Sequence, residues 1–90
     1  MPASSYMERH TAAMLNPETE TERTVVTLFA EMSRLADRFA NDSVMVHVIE
    51  HIGSALIALG NWNLDRLDPG TLDKQVRDVV QRAGGDSNDL

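Results

Sequence analysis

The sequence predicts an all-α fold, a small bundle of three helices at about 17–40, 43–60 and 69–83, preceded by a short N-terminal helix or ordered arm. Two observations carry this. Three stretches repeat their apolar residues with the 3.6-residue period of a helix. Their ends are marked by residues that start or stop helices: Asn16-Pro17, Asn41-Asp42-Ser43, Gly60, Asp68-Pro69 and Gly84-Gly85.

The first 15 residues have weak helical spacing in Tyr6, His10, Ala13 and Met14, behind Ser4 and Ser5 as caps. Asn16-Pro17-Glu18-Thr19-Glu20 then places a capping side chain, a proline and two carboxylates where the unpaired N–H groups and positive dipole end of a helix favour them. Val25, Leu28, Phe29, Met32, Leu35, Ala36, Phe39 and Ala40 fall within an arc of about 140°, with Glu31, Arg34 and Arg38 opposite. The stripe stops at Asn41-Asp42-Ser43, whose side chains bond locally and favour turns.

The second helix is apolar around more than half its circumference: Val44, Met45, Val48, Ile49, Ile52, Ala55, Leu56 and Leu59 form one continuous arc, extended by Val46 and Ile57. Its polar residues, Glu50, Asn61, Ser54, His47 and His51, occupy a wedge of about 100°. Its β-branched residues suit a strand, but length, 3.6-fold order and the terminal Gly60 favour a helix. Trp62, Leu64 and Leu67 make the following connection too apolar for a free linker, and they are expected to pack over the helix ends. Leu72, Val76, Val79, Val80 and Ala83 form the stripe of the last helix. Residues 1–16 are thus read as an arm, 17–83 as the helical domain and 84–90 as a disordered acidic tail with nothing to bury.

A chain of 90 residues buries only roughly 60–65% of its unfolded surface, so its core is thin. The first helix outreaches the last, and two flanking helices hardly cover the side of the second helix marked by Val46, Gly53, Ile57 and Gly60. The missing side chains at Gly53 and Gly60 would let another helix approach closely. Leftover apolar surface of this kind is expected to close by homodimerisation, with Phe39 and Trp62 as further contacts. The competing expectation is a monomer whose N-terminal arm folds over that side.

Composition narrows the function. With 14 Asp+Glu against 8 Lys+Arg and a charge of −6, nucleic acid is an unfavoured partner. The absence of cysteine removes disulfide and thiolate chemistry and suggests a cytoplasmic protein. Residues 1–6 have no basic or apolar leader character, and the apolar run from Val44 to Leu59 is broken by His47, Glu50 and His51, so no membrane span is expected. Seven arginines and one lysine hint at a GC-rich bacterial genome.

His47-Val48-Ile49-Glu50-His51 matches the H-x-x-E-H string of inverted zinc peptidases, in which two imidazoles bind the metal and the carboxylate is the base. The match ends at these five residues, and such an enzyme needs a third ligand and a cleft. They are read as the polar wedge of an apolar helix and, more weakly, as a non-catalytic metal site completed by His10 or a symmetry mate. Asn61-x-Asn63-x-Asp65 begins like a calcium loop, but Arg66 stands where glycine is needed and Leu72 where glutamate is needed. No glycine-rich phosphate cradle or nucleophile elbow occurs, and no cofactor is expected. Elimination leaves a non-enzymatic protein that binds another protein, as a regulator, antagonist or adaptor that occludes a surface of its target. A self-assembling structural subunit is the first alternative, and a metal-binding role for His47, Glu50 and His51 the second. Trp62 is either a core cap or an anchor for a partner's pocket.

Overall fold

The computed structural model describes residues 6–62 and 66–90. They form four α-helices, α1 (Tyr6–Leu15), α2 (Glu20–Arg38), α3 (Ser43–Gly60) and α4 (Pro69–Arg82), followed by a 3-10 turn at Ser87–Asp89. No strand occurs among the described residues. Of the two expectations for the N-terminal segment, a short helix or an ordered arm, residues 6–15 are the helix, which makes four helices in place of a bundle of three.

α2 begins three residues later than Pro17. Thr19 is its N-cap, accepting the Glu22 N–H at 3.1 Å, and the Glu22 carboxylate returns to the Thr19 hydroxyl at 3.2 Å and the Glu18 N–H at 3.1 Å. This is a capping box, which satisfies more donors than Asn16-Pro17 alone could. Asn16 instead ends α1, donating its N–H to the Ala12 carbonyl. Arg66 reaches from the α3–α4 connection to Glu18 at 2.6 Å and Glu22 at 3.7 Å, which ties that loop to the start of α2.

α2 and α4 flank α3. The core consists of Val25, Met32 and Ala36 from α2, Ile49 and Leu56 from α3, and Leu72, Val76, Val79 and Val80 from α4, joined by Ala13, Leu67 and Ala83. The α4 stripe read from the sequence is buried throughout; of the first stripe Val25, Met32 and Ala36 are buried, Leu28, Phe29, Leu35 and Phe39 are half-buried, and Ala40, beyond the end of α2, is exposed. Leu67 is buried as expected, whereas Leu64 lies outside the described residues. Each full burial of a Leu, Met or Val side chain contributes about 1.5–3 kcal/mol of transfer free energy.

α1 packs against α2, and its His10 joins it to α4 and to the residue that caps α4. His10 anchors it: wholly buried, it meets the Gln75 side-chain oxygen through Nε2 at 2.9 Å and accepts the Asp68 N–H on Nδ1 at 3.3 Å. An acceptor at Nδ1 puts the proton on Nε2, so the ring is held in one neutral tautomer. With both ring nitrogens taken by Gln75 and Asp68, His10 is not available to a metal site with His47 and His51.

The last residues are not a polar tail alone. Leu90 packs against the core cluster, and Arg77 donates to the Ser87 and Leu90 carbonyls, holding the 3-10 turn on α4. One apolar residue at the end of an acidic segment was enough to draw it back.

Candidate interaction face on the third helix

α3 is capped at both ends by its own connections. The Asp42 carboxylate accepts the N–H groups of Val44 at 3.1 Å and Met45 at 3.0 Å, and Asn61 closes the C-terminus by bonding back to Ile57. Asn41, in the left-handed conformation at φ 66°, makes the turn from α2 and donates its N–H to the Ala83 carbonyl at 2.9 Å. The N-terminal end of the helix is thereby tied to the end of α4.

The buried side of α3 carries Ile49, Gly53, Leu56 and Gly60. A side-chain carbon at Gly53 would lie 3.0 Å from Val76 and 3.4 Å from Val80, and one at Gly60 would lie 3.0 Å from Leu72. The helix that approaches at these glycines is therefore α4 of the same chain. Val46 and Ile57, on that side, are half-buried, and Val46 lies beside Gly85 at the end of α4. The side expected to await a partner is covered, because the chain's own last helix takes the place given to a second subunit.

Apart from Leu15 at the end of α1, the large apolar side chains left exposed among the described residues lie on the opposite side of α3 and just beyond its end. Val44 is 68% exposed and Val48 39%, Ala55 and Ala58 are exposed, and Trp62 is 68% exposed just beyond the helix end, its N–H bonded to the Leu59 carbonyl. Trp62 thus does not cap the core. Together with exposed His51, these residues follow the spacing 44, 48, 51, 55, 58, 62 and lie within an arc of about 80° at 100° per residue. This four-three alternation is the seam of a helix that packs along another helix. It was present in the sequence but concealed, since α3 is apolar on both sides and periodicity alone cannot say which side α2 and α4 take.

The histidine wedge opens to solvent. His47 Nδ1 stands 3.4 Å from Glu50 Oε1, and with His51, Ser54, Asp89 and Leu90 they line a shallow depression. Among the described residues no three His, Asp or Glu side chains converge to hold a metal ion. Phe39, at the C-cap of α2, is half-buried with the Arg38 guanidinium 5.6 Å from its ring centre, and it stands apart from the α3 seam in the chain's turn. Asn63 and Asp65 lie outside the described residues.

α3 also has the length and mean hydropathy, 1.5 over 18 residues, of a segment able to cross a bilayer. Its Gly53 side is packed on α4, and Glu50 stands at mid-helix. The outer faces of the neighbouring helices are differently made, with ion pairs Glu31–Arg34 on α2 and Asp73–Arg77 on α4. No protein-family model, curated protein or solved structure matches this chain.

Proposed function

We propose that this chain acts by binding protein, through the outward face of α3 from Val44 to Trp62, and not by catalysis. The observation behind this reading is the placement of Val44 and Trp62, each 68% exposed, at the two ends of one uncharged helical seam. Scattered exposed apolar residues are ordinary, but apolar residues aligned on one helix face, here interrupted only by His51 within that seam, mark a contact surface. The seam's spacing suits a helical partner laid alongside, with Trp62 as a large, rigid anchor.

Homodimerisation is the most economical closure of such a face, since a two-fold pair covers the same patch on both copies. A larger partner that offers a helix of its own would be held by the same face, and the chain would then act as a regulator or adaptor by occluding that helix. The charge of −6 works against nucleic acid and anionic membrane as partners. Such a role needs no cofactor, and a chain without cysteine is suited to the cytoplasm.

The test compares wild-type protein with Ala58→Glu, which sets a carboxylate on the exposed seam. Association, with itself or with a protein retained from native extract, is expected for the wild type and lost in Ala58→Glu. Arg34→Glu, on the outer face of α2, serves as the control that keeps it. Equal retention by Ala58→Glu and wild type would contradict the reading.

A further inference from the structure

We infer that the open face of α3 is closed by a second copy of this chain, packed antiparallel about a two-fold axis level with Gly53. The inference rests on the reading of that face as a protein-binding surface and names its occupant.

Register carries the argument. In an antiparallel pair centred at Gly53, Val44 meets Trp62, Val48 meets Ala58 and His51 meets Ala55. All six seam positions find a seam partner, and each layer sets a larger side chain against a smaller one, as knobs filling holes require. In a parallel pair each residue would meet itself. Trp62 would collide with Trp62 at one end, His51 would face His51, and two Ala–Ala layers would leave the middle underfilled. A sequence-unrelated partner would not explain why the seam is complementary to its own reverse.

The flanks agree with the same register. On one side the half-buried Met45, Ile52 and Leu59 give Met45 against Leu59 and Ile52 against itself. On the other, His47 comes opposite Asn61 and Ser54 opposite Ser54, polar against polar. The seam and its flanks contain no Asp, Glu, Lys or Arg. A chain with a net charge of −6 therefore brings no like-charged side chains together here, and the antiparallel arrangement sets opposite helix dipole ends side by side.

Area sets the strength. α3 has 18 residues, about 27 Å of helix, and a face of that length that buries roughly 400–500 Å² on each copy gives about 800–1,000 Å² in all, below the standard specific interface and in the class of weak, transient ones. A reversible dimer is expected, dissociating in the range of about 10–100 µM.

Because the chain has no cysteine, single cysteines report the geometry directly. Ser54→Cys places its thiol beside the proposed axis. His47→Cys and Asn61→Cys place theirs at opposite ends, about 20 Å from their own copies at 1.5 Å per residue but next to one another. Treated with a short bis-maleimide, Ser54→Cys is expected to form covalent dimer by itself. His47→Cys and Asn61→Cys are expected to link only when mixed. All three positions are exposed, and circular dichroism confirms that the variants fold. On unmodified protein, sedimentation is expected to show a rise toward twice the 10.0 kDa chain mass with concentration, and Ala58→Glu is expected to weaken the dimer at least about tenfold.

Self-linking of His47→Cys as efficient as its linking to Asn61→Cys would overturn the inference in favour of a parallel pair. Failure of Ser54→Cys to link, with the wild type at 10.0 kDa throughout, would overturn the dimer. If Ala58→Glu still lost a protein retained by the wild type, the binding reading would survive without this occupant. Flotation of the wild type with neutral phosphatidylcholine vesicles, lost in Ala58→Glu, would assign the face to a membrane and overturn both.

Discussion

Gly53 of α3 lies so close to Val76 of α4 that a single added carbon would stand 3.0 Å from the valine Cγ1. The two helices meet at a separation set by the missing side chain, and Val76 and Val80 on the facing turns are wholly buried and unable to swing aside. Gly53→Val is expected to lower stability by about 1–3 kcal/mol through overpacking. Urea denaturation followed by circular dichroism measures it, and a stabilised variant would show that α4 stands further away.

The turn between α2 and α3 is locked to the end of α4. Gly84 has φ +93°, and a Cβ there would come within 2.3 Å of the Asn41 side-chain oxygen. Gly84→Ala is therefore expected to cost about 1–2 kcal/mol, from left-handed backbone strain and from displacement of Asn41. Thermal unfolding of Gly84→Ala beside Gly70→Ala checks this, since Gly70 has open space around it and its nearest neighbour lies 3.7 Å away. Only the first substitution should lower Tm appreciably.

The hydrogen bonds of His10 make α1 part of the domain. His10→Ala removes the partners of the Asp68 N–H and the Gln75 side chain and is expected to cost about 1–3 kcal/mol. Nitrogen-15 NMR of the imidazole should show the Nε2-protonated tautomer in the folded protein. The Nδ1-protonated tautomer would contradict the placement of α1.

A carboxylate at the start of α4 gives the fold a component of acid sensitivity. The hydroxyl and backbone N–H of Thr71 both donate to Asp68, at 2.5 Å and 2.9 Å, and hold its carboxyl below the usual carboxylate range. A depressed folded-state pKa means the unfolded chain takes up the proton first as pH falls. The contribution is thus complete above the ordinary aspartate value of about 3.9 and disappears as pH falls through the folded value. Asp68→Asn keeps a capping side chain but cannot titrate. Its Tm should fall less steeply than that of the wild type between about pH 4 and pH 2.

The contrast between what was legible and what was not follows from the chemistry of particular residues. Stripes such as Val25–Met32–Ala36 and Leu72–Val76–Val79–Val80 are apolar on one side only, so period and burial coincide, and the Asp68-Pro69 start of α4 stands where the cap chemistry puts it. The start of α2 differs from the one read at Pro17 because Asn16-Pro17 and Thr19-x-x-Glu22 are both good starting signals, and Asn16 is taken up in ending α1 while Thr19 and Glu22 cap α2. α3 was recognisable as a helix but not in its orientation. With apolar residues on nearly every side, its glycines marked an intramolecular contact with α4, and the open face fell to Val44, Val48, Ala55, Ala58 and Trp62. Trp62 could not be assigned from its neighbours, since an aromatic residue after a helix end suits a core cap and a partner's pocket equally well.

The most direct measurement of the central claim is the NMR spectrum of isotope-labelled wild-type protein between about 10 µM and 1 mM, the span over which an interface of this size associates. The account predicts concentration-dependent shifts centred on Val44, Val48, His51, Ala55, Ala58 and the Trp62 indole and reaching the flanking Met45, Ile52, Leu59, His47, Ser54 and Asn61, with the α4-facing residues Gly53 and Gly60 unmoved. Shifts centred on Gly53 and Gly60, or a spectrum unchanged both on concentration and on addition of any protein the wild type retains, would contradict it.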